Sequence, residues 1–205
     1  MSTDPRGYTA SVEQKPHWRV PVLGWGNLVL AVALLIGTLV NILAALEVFT
    51  VQWSGTSIFM AIVFGSALGW VTGLSGRAVL QGRKNAFTLT CTAGGLTLGY
   101  ALMGVWIMLT AGIDRTREIL IRHGSDNWWD WSLSHFQHSV LRETPVIAWW
   151  ILALGTLIRY PLPGGPQKLG QRIGAGWFRL LCFGLVGALA RCIQLAQDTL
   201  LSSQR

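Results

Sequence analysis

PVLGWGNLVLAVALLIGTLVNILAAL, residues 21–46, is a run of 26 residues without one Asp, Glu, Lys or Arg. A helix needs roughly 20 apolar residues to cross a hydrocarbon layer about 30 Å thick. A soluble helix of this length would carry a polar stripe along one face. This stretch offers only Asn27, Thr38 and Asn41. We therefore expect it to be a membrane-spanning helix.

Further apolar stretches predict spans over residues 57–75, 86–110 and 145–158. A last stretch is ambiguous, because only 11 uncharged residues separate Arg179 from Arg191. Those two residues stand about 18 Å apart on a helix. The C-terminal helix either crosses, with both arginines reaching opposite interfaces, or lies at the cytoplasmic interface. The predicted fold is an all-α, polytopic membrane protein with four transmembrane helices plus this one.

The charges suggest one orientation for the chain. Lys and Arg cluster in the polar N-terminal tail (residues 1–19), in the loop after the second span and in the segment after the fourth. The loop after the first span contains no Lys or Arg. The positive-inside rule then places the N-terminus in the cytoplasm, and we expect the membrane to be a bacterial inner membrane. Residues 20–205 are expected to form a single helical membrane domain.

The net charge of +7 raises the question of an anionic partner. Because the cations lie beside the spans, they are suited to anionic lipid headgroups, and we expect no nucleic acid to bind.

The long third loop, residues 111–144, is predicted to contain an amphipathic helix on the outer membrane face. Apolar side chains recur there at helical spacing, beside further tryptophans. Two interpretations stand: a lid over the helix ends, or a docking surface for a partner. The residues proposed for docking are Trp128, Trp129, Trp131, Leu133 and Phe136.

Glycines at four-residue spacing mark two helix-packing faces. Gly65, Gly69 and Gly73 lie in the second span, and Gly95 and Gly99 in the third. Such GxxxG faces let another backbone approach closely within a membrane. The two grooves are expected either to pack against each other as a hairpin or to dock another subunit, whether a second copy or a different protein.

The sequence offers few groups for chemistry. No ionisable residue lies near the middle of the four predicted spans, where proton relays and substrate sites need them. The three cysteines lie in apolar helices and are interpreted as reduced core residues. His135 and His138 are weak candidates for a surface metal site, since two histidines three residues apart lack a third fixed ligand. We expect no catalytic residue and no cofactor.

Asn41, Thr88 and Thr92 are uncharged polar residues in predicted spans. They are interpreted either as hydrogen-bonding groups within the helix bundle or as the lining of a solute path.

Three functions follow from these patterns. The leading hypothesis is a non-catalytic subunit, assembly factor or scaffold of a larger membrane protein complex, docking through the glycine faces and the tryptophan-rich outer helix. The alternative is a small homo-oligomeric channel or solute transporter. A membrane enzyme with a surface histidine metal site is the third.

Overall fold

The computed structural model describes residues 18–48, 55–123 and 128–202, and these ranges consist of five long helices and short turns. The helices are α1 (Arg19–Val48), α2 (Gly55–Leu80), α3 (Ala86–His123), α4 (Trp128–Arg159) and α5 (Leu169–Ser202). Four of them are long and apolar enough to cross a membrane. The predicted fold class, an all-α polytopic membrane protein, is confirmed.

Among the described residues, the candidate spans agree with the sequence prediction in α1, α2 and α3, and the fourth lies in α5. They are Arg19–Leu39, Ile62–Leu80, Ala86–Ile107 and Leu169–Ile193. The C-terminal helix, which the sequence left undecided, is among them, whereas the described part of α4, with residues 145–158, is not. The 14 residues of that segment rise only about 21 Å as a helix. They nevertheless pack inside the bundle, because Trp150, Ala153 and Leu157 are all buried.

The outer loop expected at residues 111–144 is instead mostly helical. α3 continues to His123, and α4 begins at Trp128 and passes through Pro145 without a break. The expected amphipathic helix and the fourth span are thus one helix. A proline removes one backbone donor, but the surrounding turns continue here across the missing bond. The side chains of the predicted docking residues, Trp128, Trp129, Trp131, Leu133 and Phe136, lie outside the described part, so their role stays a prediction.

The helices alternate in direction, so the start of α1, the α2–α3 turn and the α4–α5 turn lie at the same end of the bundle. Most of the described cationic residues lie in or beside these segments. Gly24 near the start of α1 packs against Leu80 at the end of α2. The Phe87 amide at the start of α3 donates to the Pro163 carbonyl after α4, with N and O 3.3 Å apart. We call this end the basic end. Its cationic residues are Arg19, Arg77, Arg83, Lys84, Arg159, Lys168 and Arg172.

Residues 160–168 form a turn that closes the basic end. Gly164 has a φ of 73°, a conformation that glycine adopts without a steric penalty. It lies against the Lys84 backbone carbonyl, where a Cβ would not fit. Leu162 is 1% exposed and joins the hydrophobic core with Phe87 and Trp150. The α4–α5 turn is thereby fixed against the α2–α3 turn, and this contact sets where α5 begins.

Candidate functional site

The glycine face of α2 packs against α1. A Cβ built at Gly69 would lie 2.8 Å from Leu35 Cγ, and one at Gly76 would lie 2.7 Å from the Gly24 carbonyl oxygen. Gly65 meets Thr38 in the same way, and Gly73 faces Ala31. The groove is therefore filled by the chain's own first helix.

The glycine face of α3 packs against α5. A Cβ at Gly95 would lie 2.7 Å from Phe183 Cβ and 3.0 Å from the Leu180 carbonyl oxygen. Gly99 lies directly on the backbone of Gly184, so both helices contribute glycine to this crossing. Such an approach maximises van der Waals contact between backbones in lipid, where hydrophobicity does not drive association.

The expected pairing of the two grooves with each other is therefore wrong. α2 and α3 do contact each other, but their glycines face α1 and α5 respectively. The glycine spacing identifies the face of a helix that packs closely. It does not identify which helix packs there, because every apolar helix of suitable length could do so. Neither groove is available to another subunit in this fold.

A chain of hydrogen bonds joins four helices near the basic end. Trp149 Nε1 of α4 donates to Asn27 Oδ1 of α1 at 2.9 Å. Asn27 Nδ2 donates to Ser75 Oγ of α2 at 3.0 Å, and Ser75 Oγ donates to Thr90 Oγ1 of α3 at 2.9 Å. Thr90 Oγ1 donates in turn to the Ala86 carbonyl at 2.8 Å.

Asn27, Ser75 and Thr90 are each 0% exposed, so this chain is closed to lipid and to solvent. A polar group left unpaired in hydrocarbon is costly, which favours the one arrangement of helices that pairs them all. We assign this network to holding the bundle together.

An ionic cluster lies toward the opposite end. Arg191 of α5 is 6% exposed, and its Nη2 lies 3.9 Å from Glu143 Oε1 of α4. Arg191 Nη1 donates to the Tyr100 hydroxyl of α3 at 2.8 Å, and its Cζ stands 4.7 Å from the Tyr100 ring centroid. Gly104 leaves the space that the guanidinium occupies. The sequence placed Glu143 in a loop and Arg191 at an interface, but the two are buried together.

Arg179 also turns toward α3. Its Nη1 donates to Thr88 Oγ1 at 2.9 Å, and its Cζ lies 5.7 Å from the Phe87 ring centroid. The sequence left this helix either crossing, with both arginines at opposite interfaces, or lying at the cytoplasmic interface; the structure shows both guanidinium groups in contact with α3. Pairing with α3 removes the need to reach water, since each guanidinium finds a polar partner inside the protein.

The remaining predicted polar and metal residues are only partly covered. Thr92 is half-buried. Asn41 belongs to α1, and His135 and His138 to α4, but their side chains lie outside the described part. Among the side chains that the structure describes, no group of three His, Cys, Asp or Glu is placed to hold a metal ion.

The cysteines differ in their surroundings. Cys91 is buried in the core, Cys182 is exposed, and Cys192 is intermediate; all three are free thiols. The core interpretation thus fits Cys91 and is wrong for Cys182, whose face of α5 has no neighbouring helix within the described chain.

No family model, no curated protein and no solved structure matches this chain. Its function is therefore argued from the helix faces and cavities themselves.

α5 is the helix with the most surface left for another molecule. Only 11% of its apolar segment is buried, against 50% for the segment of α3 on which it packs. Gly170 and Gly174 repeat the four-residue spacing of the filled grooves, yet a Cβ on either would meet no atom within 4 Å. Phe178 and Leu185 continue this surface and are 70% and 72% exposed. The spacing was visible in the sequence, but its open surroundings were not.

Proposed function

We propose that this chain is a non-catalytic integral membrane subunit, or assembly factor, of a larger membrane protein complex. It docks a partner helix on the outward face of α5, with the tryptophan-rich beginning of α4 as a second contact. The docking surface differs from the one expected from sequence, because α1 and α5 themselves occupy the grooves of Gly65–Gly73 and Gly95–Gly99.

The open glycine pair Gly170 and Gly174 is the observation that carries this proposal. Glycines at this spacing meet a helix at both other places where they occur in the bundle. On α5, a Cβ at either glycine would meet no described atom within 4 Å, and the apolar segment of α5 is the least buried of the four. A helix from another protein, or from a second copy, would fit there by the same close backbone contact.

The polar residues support a subunit over a channel. Asn27, Ser75 and Thr90 close a network on themselves, and the Thr97 hydroxyl donates to the Ala93 carbonyl of its own helix. Thr88, one of the predicted lining residues, accepts from Arg179. Hydroxyls engaged in this way hold helices together and are poorly placed to replace the hydration shell of a passing solute.

The enzyme hypothesis has less support. The buried ionic cluster of Arg191, Glu143 and Tyr100 is a functional-site candidate by its depth. Its groups pair with one another, however, and this arrangement suits a structural link between α3, α4 and α5. The metal hypothesis rests on His135 and His138 alone.

The orientation proposed for the bundle follows its charges. With the basic end in the cytoplasm, its turns satisfy the positive-inside rule and meet the anionic leaflet of a bacterial inner membrane.

Cross-linking in intact membranes tests the docking proposal. Gly174→Leu should abolish the cross-linked partner and its co-purification while the chain still inserts and folds, because a Cβ at this position meets no described atom within 4 Å. Gly155→Leu is the matched control: Gly155 also meets nothing, but it lies on α4. Recovery of the wild-type chain alone, or equal loss in both variants, would contradict docking on α5.

A further inference from the structure

α4 and α5 both pack on α3 but touch each other little, and an apolar groove lies between them. The groove has a volume of about 610 Å³, within the range of about 300–1,000 Å³ typical of small-molecule sites. Its floor is α3, and Leu154 of α4 and Trp177 and Leu181 of α5 form its walls. It is lined almost entirely by apolar side chains.

The groove leads to a buried arginine. A small recess of about 30 Å³ adjoins its basic end and shares Leu154, Trp177 and Leu180 with it. Arg172, from the first turn of α5, lines this recess and is 8% exposed. Its Nε and Nη1 are buried, and neither has a hydrogen-bond partner among the residues that the structure describes. A guanidinium in this position is expected to bind an anion, because an unpaired buried charge is strongly unfavourable.

The surroundings of Arg172 offer no carboxylate along the adjoining chain. The sequence contains no Asp or Glu between Glu47 and Asp114, nor between Glu143 and Asp198. Both turns at the basic end fall within these intervals, and they add exposed Arg83, Lys84 and Lys168. The local potential is therefore positive, as at sites for anionic lipid headgroups.

The groove has the length of one acyl chain. On α3 its lining runs from Gly95 to Leu109, a rise of about 21 Å. One leaflet of hydrocarbon is about 15 Å deep. The lining begins about 13.5 Å along α3 from Ala86 at the basic end, so an acyl chain that enters past the recess would lie against apolar side chains deeper in the bundle.

We propose that an acidic phospholipid binds here as a specific ligand, with one acyl chain in the α4–α5 groove and one headgroup oxygen in the recess, accepting from Arg172. The recess is large enough for an oxygen atom or a water, so the rest of the headgroup stays at the membrane interface among the exposed cations. The groove does not include Gly174, although it shares Leu185 with the surface proposed for docking, and the lipid proposal does not depend on that docking.

Thermal unfolding of the full chain in mild detergent tests the site, since a ligand that binds the folded state raises its Tm. The probes are phosphatidylglycerol, phosphatidylcholine and inorganic phosphate. Phosphatidylglycerol should raise the Tm at concentrations at which the other two do not. In Arg172→Gln the half-saturating concentration should rise about tenfold or more, as for loss of a charge-assisted hydrogen bond. Arg83→Gln, the same charge change at an exposed position, should shift it by about twofold or less.

A second pair of variants tests the groove. Leu181 lines it and Leu189 does not, and both are 61% exposed. Leu181→Trp should weaken phosphatidylglycerol binding by filling the groove, whereas Leu189→Trp should not. If inorganic phosphate stabilises as strongly as the lipid and Leu181→Trp has no effect, the site binds a free anion and the proposal is wrong.

Three further outcomes would overturn the lipid site. The first is equal stabilisation by both phospholipids, and the second is equal weakening by Arg172→Gln and Arg83→Gln. The third is a lower Tm of Arg172→Gln in lipid-free detergent, with an equal loss of Tm in Asp4→Asn or Glu13→Gln. That result would make a carboxylate of the N-terminal tail the counterion of Arg172. With the lipid as counterion, Arg172→Gln loses no hydrogen bond in lipid-free detergent and keeps its Tm.

Discussion

Arg191 stabilises the bundle only together with the groups around it. It lies within an apolar helix, where a lone cation would be expelled or would distort the membrane. Here Glu143 supplies the opposite charge, and Tyr100 supplies a hydrogen-bond acceptor and an aromatic face. A buried pair of this kind is roughly neutral as a whole, yet it is strongly destabilising to break.

Glu143→Leu should therefore lower the stability of the folded bundle by about 3–5 kcal/mol, because it leaves Arg191 buried without its carboxylate. The measurement is equilibrium unfolding in detergent. The double variant Glu143→Leu/Arg191→Leu is the informative control, since it removes both charges and should be more stable than the single variant. If instead the loss of stability in the double variant equals the sum of the losses in Glu143→Leu and in Arg191→Leu, the two residues are not coupled and the pair has no structural role.

At the scale of the helix, glycine decides which helices meet. α5 lies against α3 along Gly95, Gly99 and Gly187, where the backbones themselves come into contact. A side chain at the centre of this crossing has nowhere to move, because its neighbour is the backbone of Gly184 and not a flexible chain end.

Gly99→Leu should separate α3 from α5 and lower the stability by about 2 kcal/mol or more, since overpacking against rigid neighbours costs about 1–3 kcal/mol and sometimes exceeds this. Thermal unfolding in detergent measures the loss. Gly37→Leu provides the comparison, because Gly37 also lies in a spanning helix but meets no atom within 4 Å. Similar unfolding temperatures for the two variants would show that the α3–α5 crossing is not closely packed.

The helices were predictable from the sequence, but their partners were not. Apolar length and helical spacing depend on neighbouring residues, so α1, α2 and the membrane part of α3 were located correctly. The bond from Asn27 to Ser75 joins residues 48 positions apart, and Trp149 is 122 positions from Asn27. No local pattern encodes such pairs.

The errors at α4 and α5 have a related cause. Charges at Glu143, Arg179 and Arg191 argued against membrane burial when each was considered alone. Contacts between helices pair these charges and remove that argument. The sequence therefore predicted a loop over residues 111–144, where α3 and α4 are helical, and left the crossing of α5 undecided. The same reasoning applies to Arg172, whose isolation within the fold is apparent only once the helices are in place.

For the whole molecule, the number of crossings determines where the C-terminus lies. The start of α1, the end of α2, the start of α3, the end of α4 and the start of α5 all lie at the basic end. α5 then runs alongside α3 toward the ionic cluster, and its segment Leu169–Ile193 is long enough to cross. With α4 running back to the basic end, we expect the chain to pass from one side to the other five times.

The two ends of the chain should consequently lie on opposite sides of the membrane, with the N-terminus at the cytoplasmic side if the positive-inside rule holds. Reporter fusions check this. A phosphatase that is active only outside the cytoplasm should be active when fused after residue 205, and inactive when fused after residue 167 in the α4–α5 turn. A reporter that fluoresces only in the cytoplasm should give the reverse pattern. If both fusions report the same side, α5 lies at the interface and the groove between α4 and α5 does not have the depth assigned to it. α5 runs parallel to α3 from the contact between Arg179 and Thr88 to the contact between Arg191 and Tyr100, so we expect α5 to cross the membrane together with this part of α3.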